Sequence, residues 1–454
     1  MHRTRRQFLA DVGRGALIAG VGSALAADLG LADARAAEAP AALNFGKLEP
    51  LVCQMQETPP DKLLPRLVAR LQEGGDLKEL VAAAALANAR AFGGEDYVGF
   101  HTMMALAPAW HMARELPQAR QPLPVLKVLY RNSNRIQECG GRKKEVLKPV
   151  EPGALPEGKS VGAALIEAAR RKDMAGADRT FAALARQSID DAFNELLVAV
   201  EDAQEVHRVV LPYRAWALLP IVGRENAEAM LRQSVHYCVR NESPGYSAQF
   251  GEARAVLPRL IDQHKLAGRK PGNRTADDAW VAKLSETIFK GKPAEAAGAV
   301  AEALAEGFAP EAIGEAIALA ANQLVLRDEG RPPNQASPGK PVGSVHGDGI
   351  GVHACDSANA WRNLARAAEP RHTVACLILA GFQACRDRSQ RGGDFLKWEP
   401  YPRAEARAAI KTREAAALLR KAEEAIKAND QALACAAVAA YGEAGHPPRP
   451  VIDL

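Results

Sequence analysis

The chain has 454 residues, a formal net charge of +4 at pH 7, 48% apolar residues and 25% charged residues. These are ordinary values for a globular chain with a sizeable core. The densest charge run, Arg142-Lys143-Lys144, is too short to leave an electrostatic footprint for nucleic acid, and no apolar run approaches the ~20 residues that a membrane span needs.

Residues 1–36 read as an address. Thr4-Arg5-Arg6-Gln7-Phe8-Leu9 precedes an apolar, Gly- and Ala-rich run from Gly15 to Ala27, and Ala34-Arg35-Ala36 supplies a small-residue cleavage site. The paired arginines point to the twin-arginine route, with its translocase and a signal peptidase as partners and a periplasmic or extracellular destination. That route carries folded proteins, often with a cofactor already loaded. The expectation is therefore a mature chain, 37–454, that holds a cofactor or metal.

Strand signals are nearly absent from that chain, with no Asn-Gly hairpin between apolar runs. Apolar residues three and four apart predict helices over Asp61–Leu71, Leu77–Ala91, Val161–Arg171, Ala192–Val200, Ala294–Ala305, Pro310–Leu324, Ala404–Ala428 and Asp430–Gly442. Gly- and Pro-rich punctuation falls at 139–160, 266–276 and 328–344. The fold class is all-α.

The helices recur as a unit. His101 precedes Trp110 by nine positions, His207 precedes Trp216 by nine, and His353 precedes Trp361 by eight, each tryptophan following an alanine. Three of the five tryptophans share this register. The expected layout is one repeat domain with units at about 57–140, 160–245 and 281–390, capped by 404–445, because such units bury their apolar faces only against neighbours.

At 3.6 residues per turn, nine positions put histidine and tryptophan on opposite sides of a helix. If the tryptophans pack between layers, the histidines turn toward a shared centre, where three imidazoles suit a transition metal. For any one histidine the plain alternative is a satisfied core or capping group. Aligning the next helix of each unit on Arg131, Arg240 and Arg386 puts Lys127 and His236 at one repeat position, with Phe382 in the third unit. A carboxylated Lys127 would present oxygens, whereas a plain lysine there would reach solvent. The three arginines read as helix C-termini, where a cation suits the dipole. Glu201, Asp202 and Glu205 precede His207; one of them could orient its ring, or all could form a solvated face. His346, on the glycine-rich approach to His353, is the substitute ligand, and Asp348 lies beside it.

The seven cysteines form no Cys-x-x-Cys, and no nucleotide-binding loop, zincin helix or nucleophile elbow occurs. The tandem histidine-led helices, as in Gly99-Phe100-His101-Thr102-Met103-Met104-Ala105, resemble the questin oxidase-like proteins. That resemblance implies a non-haem iron oxygenase acting on an organic substrate, its metal held by four histidines and a carboxylated lysine. Here those correspond to His101, His207, His353, His236 and Lys127. The export signal departs from that family's pattern. A shorter likeness, from Ala303 to Ala321, is to the helical pair of carboxymuconolactone decarboxylase-like proteins, without their redox cysteines. The combined expectation is an exported metal-dependent oxidoreductase, iron favoured over copper or zinc. The competing one is a non-catalytic helical scaffold or binding protein of the cell envelope.

Overall fold

The computed structural model describes residues 42–344, 350–390 and 395–454. The segment read as an export signal lies outside the described residues, as do His346 and Asp348. Among the described residues all regular structure is helical, and β-pairing is limited to isolated bridges at Arg274–Phe308 and Ser337–Lys340.

The first group of helices is α1 (Glu49–Glu57), α2 (Pro60–Gln72), α3 (Leu77–Phe92), α4 (Tyr97–Glu115) and α5 (Pro122–Glu138). Alanine-rich α3 is buried continuously from Leu80 to Phe92, because small side chains let neighbours approach on every side. Asp76 caps its start by accepting from the Lys78 amide, and Gly93 ends it in the left-handed region. Gly94 continues the turn at φ +80; a Cβ there would lie 2.2 Å from the Gln233 carbonyl oxygen, so only glycine allows this close pass.

A second group follows: α6 (Val161–Arg170), α7 (Met174–Ala185), α8 (Ile189–Glu201), α9 (Val206–Val222) and α10 (Ala227–Asn241). After α11 (Pro244–Ala248) and α12 (Gly251–Gln263) comes a third: α13 (Asp278–Lys290), α14 (Pro293–Ala305), α15 (Pro310–Arg327), α16 (Ile350–Ala367) and α17 (Pro370–Gln390). Helix α9 is central, packing on α3, α4, α10 and α16. The histidine-bearing helices are α4, α9 and α16, so α9 touches both of the others.

The tryptophans pack between helices. Trp361 is fully buried and donates to Gln383 Oε1 at 2.8 Å, Trp216 stacks on Phe193 with ring centres 4.1 Å apart, and Trp110 is half-buried.

Two boundaries differ from expectation. The span Ala404–Ala428 is two helices, α18 (Ala404–Ala409) and α19 (Ala415–Lys427), followed by α20 (Gln431–Glu443) and α21 (Arg449–Ile452). Between α18 and α19, Thr412 accepts from the Glu414 amide, and Glu414 accepts from the amides of Ala416 and Ala417. These local side-chain bonds compete with a continuous helix and start a new one. Arg131 is not at a helix end, since α5 runs on to Glu138, whereas Arg240 does sit in the last turn of α10. All seven cysteines are unpaired.

Candidate functional site

His101 lies in the first turns of α4. Asp96 caps that helix by accepting from the Gly99 amide at 2.7 Å, and Arg135 of α5 grips both Asp96 oxygens at 2.9 and 2.6 Å. The start of α4 is thus held against α5, and His101 Nδ1 lies 2.6 Å from the Tyr97 carbonyl oxygen. A carbonyl can only accept, so Nδ1 carries a hydrogen.

His207 is fixed in the same sense by different means. Glu205 is the N-cap of α9: its Oε2 accepts from the amides of His207 (3.0 Å) and Arg208 (3.1 Å) and from the Tyr237 hydroxyl (2.9 Å). Its Oε1 accepts from His207 Nδ1 at 2.8 Å. Burial pushes the Glu205 carboxyl up, but His207, the cap amide and Tyr237 outweigh it, and it is held below the usual carboxylate range. An ionised carboxylate only accepts, so Nδ1 of this ring also carries a hydrogen, and its Nε2 points the other way.

The two Nε2 atoms face each other at 3.3 Å. With a hydrogen on either nitrogen the contact is an N–H···N hydrogen bond, and a metal ion would take the place of that proton. Two nitrogens each about 2.1 Å from one ion and 3.3 Å apart subtend about 104°, which suits neighbouring ligands. The His353 ring centre is 5.9 Å from that of His207. Among the described residues, no group of three or more histidine, cysteine, aspartate or glutamate side chains is placed so that it could hold a metal ion.

Aromatic rings surround the imidazoles. Phe100 lies 4.8 Å from His101, 5.0 Å from His207 and 5.5 Å from Tyr237 between ring centres, and the half-exposed Tyr97 covers His101 at 4.4 Å. Beside His101 is a cavity of about 420 Å³ walled by Tyr97, Val98, Thr102, Ala105 and Val128, with exposed Lys127 and Arg131. Such a mostly apolar hollow with a few polar groups is the usual form of a small-molecule site.

The other expected ligands fare differently. Lys127 lines the His101 cavity but is exposed, so the burial that would favour a carboxylated side chain is not there. His236 turns both ring nitrogens elsewhere: Nε2 lies 3.0 Å from both Asp178 oxygens, and Nδ1 lies 3.1 Å from Glu95 Oε1. It has no lone pair to offer the pair of imidazoles. Burial lowers its pKa, but Asp178 and Glu95 outweigh burial and raise it. The repeat alignment matched its position and could not see its partners. His372 is buried, with Nδ1 2.6 Å from Glu201.

The sequence reading left Glu201, Asp202 and Glu205 undivided. The structure gives the orienting role to Glu205, and the Ncap-Val-His spacing was the available signal. Tyr237 and Phe100 were missed, since nothing in their local pattern marks them. Comparison of the chain with family models, with curated proteins and with solved structures finds no match.

Proposed function

We propose that the chain is an exported, metal-dependent oxidoreductase, an oxygenase acting on a small organic substrate, with a transition metal held by His101, His207 and His353. The observation that carries this reading is the pair of Nε2 atoms 3.3 Å apart, each with its Nδ1 committed to an acceptor. An all-imidazole first set without thiolate suits iron, copper or zinc; iron is favoured because it also supports the resemblance to questin oxidase-like proteins. Lys127 lines the hollow beside His101 but is exposed, and it is left out of the proposed ligand set. Bound there, a redox-active iron would supply activation of dioxygen.

The protein's own contribution is positioning. Glu205 fixes the tautomer and angle of His207, and a carboxylate behind a ligating imidazole raises its basicity. Phe100 and Tyr97 limit water around the rings, and the apolar cavity beside His101 holds the substrate's carbon skeleton.

Elemental analysis of the purified mature chain tests the proposal, with about one iron per chain expected. His207→Ala should release it. A metal-free chain indifferent to that substitution, its imidazoles joined by a shared proton, would leave the scaffold or binding-protein reading. The export part has its own test: replacing Arg5 and Arg6 by lysine should retain the precursor in the cytoplasm, as read by fractionation.

A further inference from the structure

A second cavity, of about 120 Å³, adjoins His353 and differs in character from the one beside His101. Its lining includes Gln204, Tyr246, Phe250, Arg386 and Asp387. Arg386 Nη2 donates to the Gln204 carbonyl and lies 3.4 Å from Asp387 Oδ1, while the guanidinium carbon sits 5.3 Å from the Phe250 ring centre. Arg386 Nε and Nη1 and the Tyr246 hydroxyl are buried donors without a partner, and one orphan acceptor, Gln204 Oε1, belongs to the same lining. Buried donors are almost always satisfied, and orphans that share a cavity mark a place where an acceptor binds. Glu205 lines the same space, but its two oxygens are already held by four donors.

We infer that this cavity is a subsite for the carboxylate of a short organic acid, gripped by Arg386 and Tyr246. A carboxylate only accepts, matches guanidinium geometry and carries the charge that a fixed cation favours. At about 30 Å³ per water-sized volume, the cavity holds a carboxylate with one or two carbons, so the head enters here and the rest of the acid lies toward His353. This gives the proposed enzyme a substrate class. It rests on that reading only for the claim that the bound acid is the substrate.

Acetate is the probe, with acetamide as the uncharged isostere, titrated into the chelator-treated full chain at fixed ionic strength and followed by calorimetry. Saturable acetate binding without an acetamide response is expected. Tyr246→Phe should weaken it about tenfold, the loss of one hydrogen bond to a charged group. Arg386→Lys, which keeps the charge and spares the fold more than Arg386→Ala does, should weaken it further. No saturable binding, an equal response to acetamide, or binding that ignores both substitutions (an adventitious ion only) overturns the inference. His101→Ala should lose metal yet keep acetate. A chain that binds acetate but never metal sinks the metal reading alone, and one that binds metal but not acetate sinks this inference alone.

Discussion

His207 on α9 and His236 on α10 lie on packed neighbouring helices, yet their surroundings make them different chemical objects. His207 has one acceptor-only partner, Glu205, and its second nitrogen faces His101. His236 has carboxylates on both sides, and these are themselves tied to cations: Asp178 to Arg232 at 3.0 Å and Glu95 to Arg240 at 3.0 Å. One carboxylate beside His207 leaves a ring nitrogen for His101, and two beside His236 leave none. The number of carboxylates around the ring decides the role, and burial alone does not.

The sharpest way to break this contrast is to delete each ring in turn. His207→Ala should remove nearly all bound metal, read by elemental analysis, while His236→Ala should leave metal content within error. Loss of metal in the His236 variant would return that residue to the ligand set. His236→Ala should instead destabilise the fold by about 2 kcal/mol, since Asp178 and Glu95 each lose a charge-assisted hydrogen bond and keep only their arginine, and a denaturant titration measures it. A cost near zero would mean that the carboxylates rehydrate and that the cluster is no structural element.

Glu205→Gln sharpens the other half. It keeps the shape but weakens the hold on His207 Nδ1, and metal affinity should fall about 10- to 100-fold. Competition with a chelator of known strength reads this directly.

The pH dependence separates the two histidines further. The folded pKa of His236 is raised above its ordinary 6.5. The stability that it confers is therefore complete below pH 6.5 and is lost as pH rises through the folded value. The stability gap between the native chain and a His236→Gln variant should be widest near pH 6 and narrow toward pH 9. A gap that grows with pH would mean that the buried ring is neutral. Asp178 behaves oppositely: although burial pushes it up, His236 and Arg232 hold it lower, so its contribution goes only in acid, below its ordinary 3.8. The smallest effect is expected at Lys127, where exposure limits Lys127→Met to within about 0.5 kcal/mol of stability. A large loss of metal in that variant would establish it as a ligand.

The sequence made the helical fold readable because the 3.6-residue period is a local property, and α2, α3, α6, α14 and α15 begin and end within a few residues of their expected limits. The nearness of His207 to His101 and to His353 was readable because a matched histidine-to-tryptophan spacing encodes opposite helix faces. The partners of His236 were not readable. Asp178 and Glu95 lie 58 and 141 residues away in the chain, and only packing brings them to one ring. The choice among Glu201, Asp202 and Glu205 depended on where α9 starts, and a one-residue difference in that start changes which carboxylate can bend back.

Glu205 serves as helix cap and as ring anchor with a single carboxylate. The first turn of α9 and the angle of the His207 imidazole are consequently one mechanical unit. Fraying at that terminus, whether by heat, denaturant or a distant substitution in α10 that displaces Tyr237, swings the ring before the globule melts. Activity should thus fade ahead of ellipticity on warming, as an early symptom of a helix losing its first hydrogen bonds.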